Sequence, residues 1–234
     1  FKVMLGFNQE TKHTRAFYAQ RNSLISNDLP SMDAATGEKY VGNSDDSWAT
    51  RSGFFRVNYT FADRYLLEVN GRYDLSSKFP KSDRSVFSPS FSLGWKLSEE
   101  KWFKEPTNSF FDDLKIRASY GSLANQALDN GWYAYLSNYS TGTMSYLMGG
   151  QQNQYVLPGG LVSNIVTWEK VTQWDLGLDF AILRSRLRGT FDYYQRTTTG
   201  MLGPGQLLPN ILGATEPQEN AADMRTSGWE LALT

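Results

Sequence analysis

Apolar and polar positions alternate along most of the chain with period two. In residues 52–61 one face carries Phe55, Val57, Tyr59 and Phe61, and the other Phe54, Arg56, Asn58 and Thr60. Ala62 and Asp63 make a tight turn. Residues 64–75 then set Tyr65, Leu67, Val69, Gly71, Tyr73 and Leu75 against Arg64, Leu66, Glu68, Asn70, Arg72 and Asp74. The same scheme predicts strands over 1–8, 84–97, 114–120, 173–180, 186–196 and 229–233. Residues 12–20 read as a further strand by position, after a short connection at 10–11. Pro89 interrupts its run and predicts an edge, bulge or strand end. Helix is expected only as a short turn within Ser98–Asp113, ahead of Pro106.

Every charged residue in the well-patterned strands falls on the polar face. Among them are Lys2, Arg56, Glu68, Arg117, Asp179 and Asp192. The other face therefore meets something that excludes charge. A dry protein core does so, and so does a bilayer, where Arg or Lys at the midplane costs about 2–4 kcal/mol. A soluble sandwich and a membrane wall both satisfy the alternation. Three features favour the wall. The strands run roughly 10–14 residues, against a usual 5–6, and about 9–11 tilted residues cross a bilayer. Aromatics sit near strand ends, with Tyr65, Tyr73, Trp95, Trp174, Tyr193 and Trp229 as candidate membrane-interface residues. Short connections near 10–11, 62–63 and 183–185 alternate with long ones at 20–50, 76–83, 122–169 and 197–224, as in outer-membrane barrels.

Composition narrows the chemistry. The 234 residues carry a net charge of −1, no cysteine and one histidine. Disulfides, thiolate metal sites, cysteine nucleophiles and multi-histidine centres are excluded, and the charge balance gives no basis for nucleic-acid binding. Aromatics reach 15% in a polar chain of mean hydropathy −0.47. No apolar run is long enough for a transmembrane helix. The chain opens at FKVMLGF and closes at GWELALT, both inside strand-like alternation, which predicts a piece of a longer polypeptide.

Five blocks carry a resemblance: FFRVNYTFADRYLLEVNGRYDLSSKF (54–79), SVFSPSFSLGWKLSEEKWF (85–103), FFDDLKIRASYGSLANQ (110–126), TWEKVTQWDLGLDFAILRSRLRGTFDYYQRTTTGML (167–202) and NAADMRTSGWELALT (220–234). In order and content they resemble the barrel of the SusC-like (SusC/RagA-type) branch of TonB-dependent outer-membrane transporters. The resemblance implies an all-β segment of a large antiparallel transmembrane β-barrel, with a parent of 22 strands and about nine present here. It implies a multi-pass barrel in the bacterial outer membrane, with 1–234 a partial barrel domain and the plug and signal peptide outside it. It further implies TonB-dependent import of oligosaccharides or oligopeptides. The implied partners are a SusD-like surface lipoprotein, TonB through the absent N-terminal region, and outer-membrane lipid and lipopolysaccharide. Two positions depart from the family's habit: Leu75 stands where a glycine is usual, and Ala124 precedes Asn125.

Candidate roles follow. Arg56, Arg64, Glu68, Arg72, Asp74, Lys115, Arg117, Asp175, Asp179, Arg186, Arg188, Asp192 and Glu230 are expected on the lumen wall or at a plug contact. Cross-strand pairing would keep that wall wetted, with Asp175, Asp179 and Asp192 facing Arg186 and Arg188. The loop 122–169 holds Trp132, Tyr133, Tyr135, Tyr139, Tyr146 and Tyr155 among amides and hydroxyls. Such rings stack on sugar faces or peptide side chains, or pack against another loop or the lid protein. No cofactor is expected. Calcium is a candidate in the external loop bearing Asn27, Asp28, Asp33, Asn43, Asp45 and Asp46. Lys78 and Lys81 read as a charged surface turn that could meet lipopolysaccharide phosphates. His13 lacks a nucleophile elbow, and the acidic pairs are flanked by cations, so no enzyme is expected. The competing reading is a soluble or surface-attached β module that binds carbohydrate through the same aromatic loop.

Overall fold

The computed structural model describes residues 1–28, 30–103, 110–126, 132–163, 166–214 and 216–234. Eight antiparallel strands form one sheet: β1 (Lys2–Arg21), β2 (Lys39–Phe61), β3 (Tyr65–Ser76), β4 (Ser85–Lys96), β5 (Phe111–Asn125), β8 (Glu169–Ile182), β9 (Leu187–Pro204) and β10 (Gln218–Leu233). A two-stranded ribbon of β6 (Ser140–Thr143) and β7 (Gln154–Leu157) lies within the long connection between β5 and β8. The expected helical turn is a single 3-10 turn at Leu97–Glu99, and residues 104–109 lie outside the described part.

The strand order is linear, β1-β2-β3-β4-β5-β8-β9-β10. This corrects the expected transmembrane β-barrel segment of about nine strands, and the multi-pass barrel localisation drawn from it. Closure requires the last strand to hydrogen-bond to the first. Here β1 pairs only with β2, and β10 only with β9, among the described residues. The chain forms an open sheet with two free edges.

Several expected boundaries also move. No turn forms at 10–11, because Glu10 and Thr11 pair with Thr50 and Ala49 and carry the strand straight on. Neither residue takes the positive φ that a tight hairpin turn requires. The two predicted strands at 1–8 and 12–20 are therefore one. Its distal half pairs with the first half of β2, whereas β3 begins to pair with β2 only at Thr50. Residues 10–21 and 39–50 thus form a polar ribbon standing beyond the sheet. At the other end of the sheet β9 runs on to Pro204 and β10 begins at Gln218, so the long connection expected over 197–224 shrinks to 205–217. Ala62 and Asp63 adopt φ of 52° and 54°, the left-handed pair of a type I′ turn, and the Arg64 N–H closes that turn on the Phe61 carbonyl at 3.1 Å. Leu75 does not make a turn; it stays in β3 opposite Arg51 and Ser85.

The register aligns apolar residues into rows across the sheet. One row runs Phe61–Tyr65–Trp95–Ile116–Leu178–Phe191–Leu231, and the next Tyr59–Leu67–Leu93–Ala118–Leu176–Tyr193–Trp229. No second layer of the described residues covers this face: Leu93 is 58% exposed and Trp229 68%. The enclosed core is small and lies at the long-loop end. Phe79, Val86, Val166 and Trp168 pack there with Ala124 and Leu202, and Phe79 meets the Trp168 ring at 4.6 Å between centroids. Phe79 is fully buried. The turn at 76–83, expected as a charged surface loop, is instead folded under that end. Only Lys81 of its two lysines is exposed.

Candidate functional site

The polar face is knitted by cross-strand charge pairs. Arg117 on β5 donates to Asp179 on β8 at 3.0 Å and to Asp192 on β9 at 2.9 Å, and Lys115 stands 3.8 Å from Asp179. On β2 and β3, Arg56 donates to Asn70 at 2.7 Å and lies 3.7 Å from Glu68. Asn58 and Asn70 both donate to Glu68. Arg72 donates to Asp74 at 2.8 Å and to Ser52 at 2.8 Å, while the Ser52 hydroxyl donates to Asp74. Asp175 and Glu230 line a cavity of about 400 Å³ beside Arg117 and Asp192.

The expected partners for the aspartates are replaced. Arg186 sits exposed in the turn after β8, where Leu183, Arg184 and Ser185 all take positive φ. Arg188 lies two pairing rows beyond Asp179, opposite Ala181. Arg117 takes Asp179 and Asp192 instead. Arg64 also leaves the sheet, to bind Glu100 beyond β4 at 2.8 Å. Tyr65 Oη and Trp95 Nε1 donate to the other oxygen of Glu100, at 2.6 and 3.1 Å. These three donors hold the Glu100 carboxyl below its ordinary pKa, the tyrosine hydrogen bond most of all.

The other candidate interface aromatics occupy different rows. Tyr193 and Trp229 pair directly across β9 and β10, Trp174 is opposite Tyr120, and Tyr73 is opposite Phe87. Tyr65 and Trp95 stack at 6.2 Å, and Trp174 and Tyr193 approach to 5.4 Å.

The aromatic loop divides into two groups. Trp132 meets Trp48 edge-on at 6.1 Å, and Tyr133 donates to the Ser47 carbonyl at 2.7 Å and bonds Ser77 Oγ at 3.1 Å. Tyr135 packs against Tyr133, with ring centroids 6.3 Å apart. Lys78, 9% exposed, places its ammonium 4.5 Å from the Trp48 ring and 5.9 Å from that of Trp132. Burial pushes the Lys78 pKa down. Tyr139 and Tyr146 project into solvent, and Tyr155 lies over Gly142 on the small ribbon. Trp132 and Tyr133 also wall a cavity of about 460 Å³ with Val166, Glu216 and Gln218.

Sequence reasoning missed Trp48, Glu216 and Gln218. A tryptophan alone in the polar run Asn43–Thr50 was the available signal for Trp48; nothing local marks the other two. In the candidate calcium loop, Asp45 is taken by His13 and by Arg15, the latter at 2.8 Å. These bonds, His13 first, lower the Asp45 pKa. Among the described residues no three acidic or histidine side chains form a metal-binding group.

The family described as TonB dependent receptor-like, beta-barrel, matches residues 2–234. The chain belongs to that family. It is 29% identical over 241 residues to the TonB-dependent receptor SusC of Bacteroides thetaiotaomicron, spanning 100% of this chain and 23% of the relative. It is 28% identical over 230 residues to the TonB-dependent receptor P3 of Formosa agariphila, covering 97% of this chain and 22% of that one. The fold is similar to that of the RagAB peptide importer in its open-open state, with a TM-score of 0.81, 23% identity, and coverage of 99% of this chain and 24% of the other. The chain thus spans less than a quarter of the length of these relatives.

Proposed function

We propose that this chain serves TonB-dependent import across the bacterial outer membrane, within a SusC/RagA-type receptor that takes up oligosaccharides or oligopeptides. The observation that carries the reading is the two-faced sheet. Apolar rows cross seven of its eight strands uncovered, while the opposite face carries paired charges. An uncovered apolar surface of this breadth is foreign to a soluble domain and suits contact with acyl chains. The same observation disfavours the soluble β module, which would need a second layer over Leu93, Leu176 and Trp229.

In this reading Tyr65, Tyr73, Trp95, Trp174, Tyr193 and Trp229 meet the lipid headgroups, with their polar tips hydrated. The charged face lines the receptor's wet interior and meets its plug. The long-loop end carries ligand contacts, with Tyr139 and Tyr146 free to meet substrate or a SusD-like lipoprotein. The fold likeness to RagAB and the identity to SusC support such a partner. The test is uptake by cells producing the receptor, with and without functional TonB. Uptake of an oligosaccharide or oligopeptide should require TonB, and the receptor should enter solution only with detergent. Uptake indifferent to TonB, or a receptor soluble without detergent, would overturn the reading.

A further inference from the structure

The cavity at the long-loop end has an unusual balance of polar atoms. It is walled by Trp132, Tyr133 and Leu136, floored by Val166, and closed by Glu216 and Gln218 at the start of β10. Its volume of about 460 Å³ is in the range of small-ligand sites. Glu216 is the only charged residue among the described lining, and no described cation pairs with it. Gln218 Oε1 is buried without a hydrogen-bond partner. A buried acceptor left unmet costs about 1–3 kcal/mol, so the cavity calls for a donor.

We infer that this cavity binds a cationic group, an ammonium or guanidinium carried on a peptide side chain. The inference rests on the import reading above and narrows its substrate class to basic oligopeptides. An ammonium offers three donors and no acceptor, and a guanidinium five; both match the Glu216 carboxylate and the unmet Gln218 Oε1. A neutral sugar would leave the Glu216 charge uncompensated, and a carboxylate or phosphate would be repelled by it. Trp132 supplies a fixed apolar wall for the methylene stem, because Lys78 and Lys12 already engage its ring at 5.9 Å each. Selection of the cation therefore falls to Glu216 and Gln218.

The experiment uses the full-length receptor in detergent, with a hexapeptide containing one lysine and the same peptide carrying acetyl-lysine. Calorimetry should find the lysine peptide bound about tenfold more tightly, the scale of one charge-assisted hydrogen bond. Glu216→Gln should erase that preference. Hydrogen exchange across 132–138 should stay as in wild type, showing that the cavity is still formed. Equal affinity for the two peptides, no binding of either, or a preference that survives Glu216→Gln would overturn the inference. If any of these occurs while uptake still requires TonB, only the cationic site is lost. Loss of the TonB requirement would instead remove the import reading.

Discussion

Arg117 on β5 donates to Asp192 on β9 at 2.9 Å, although β8 runs between them. Gly177 makes this possible. It lies opposite Arg117 on one side and Asp192 on the other. A methyl built there would stand 2.8 Å from the guanidinium carbon of Arg117 and closer still to the Asp192 carboxylate. The missing side chain is the passage through which the ion pair crosses a strand. Gly177→Ala is expected to destabilise the folded receptor by about 1–3 kcal/mol, and Arg117→Ala by a similar amount through the two half-buried carboxylates it abandons. Urea unfolding of each variant in lipid checks both. A double variant no worse than either single change would show that they act on one contact.

Glu100 gathers Arg64, Tyr65 and Trp95 at the short-turn end of β3 and β4. Its pKa lies below the ordinary 4.5, so the unfolded chain holds the proton more tightly than the folded one. By linkage, its contribution to stability is complete above about 4.5 and fades as acidification passes the lower folded value. Glu100→Gln is expected to flatten the acid limb of the stability profile in that window. The measurement is unfolding midpoint against pH for both proteins; identical acid limbs would contradict the assignment.

Lys78 fastens the aromatic loop to the ribbon through Trp48 and Trp132. Lys78→Met keeps the stem and removes the charge. It should loosen the loop by about 1–2 kcal/mol, the range of a desolvated cation–π contact. Faster amide exchange at 132–136, with the sheet unchanged, is the expected signature. Lys78→Arg should preserve protection there.

The apolar rows offer a fourth test. Leu93 lies mid-row between Leu67 and Ala118. Leu93→Arg should cost about 2–4 kcal/mol when the receptor folds into lipid. Ser92→Arg, one residue away on the charged face, should cost far less. Equal penalties would show that the two faces do not meet different media.

Much of this was legible in the sequence because it is local. The division of faces in 52–61 and 64–75 follows from side-chain period alone, and the Ala62–Asp63 turn from its two-residue spacing. Contacts between distant segments were not legible. Phe79 is buried by Trp168, and Lys78 by Trp48 and Trp132; no window of neighbouring residues contains those pairs, so the turn read as exposed charge. Arg117 reaches Asp192 across Gly177, an alignment that depends on all three strands, whereas Arg186, nearer in sequence, is carried away by its turn. Period two also gave no measure of where polar pairing stops. For that reason the pattern divides β1 at Glu10 and reads the first half of β2 as loop, where the structure has a continuous ribbon.

The unpaired rims of β1 and β10 have a practical corollary. Each displays a ladder of free amide and carbonyl groups next to greasy side chains, the combination that templates strand-to-strand stacking between molecules. Produced alone in water, the 234-residue polypeptide should deposit as insoluble, β-rich aggregate and remain dispersed only in micelles or nanodiscs.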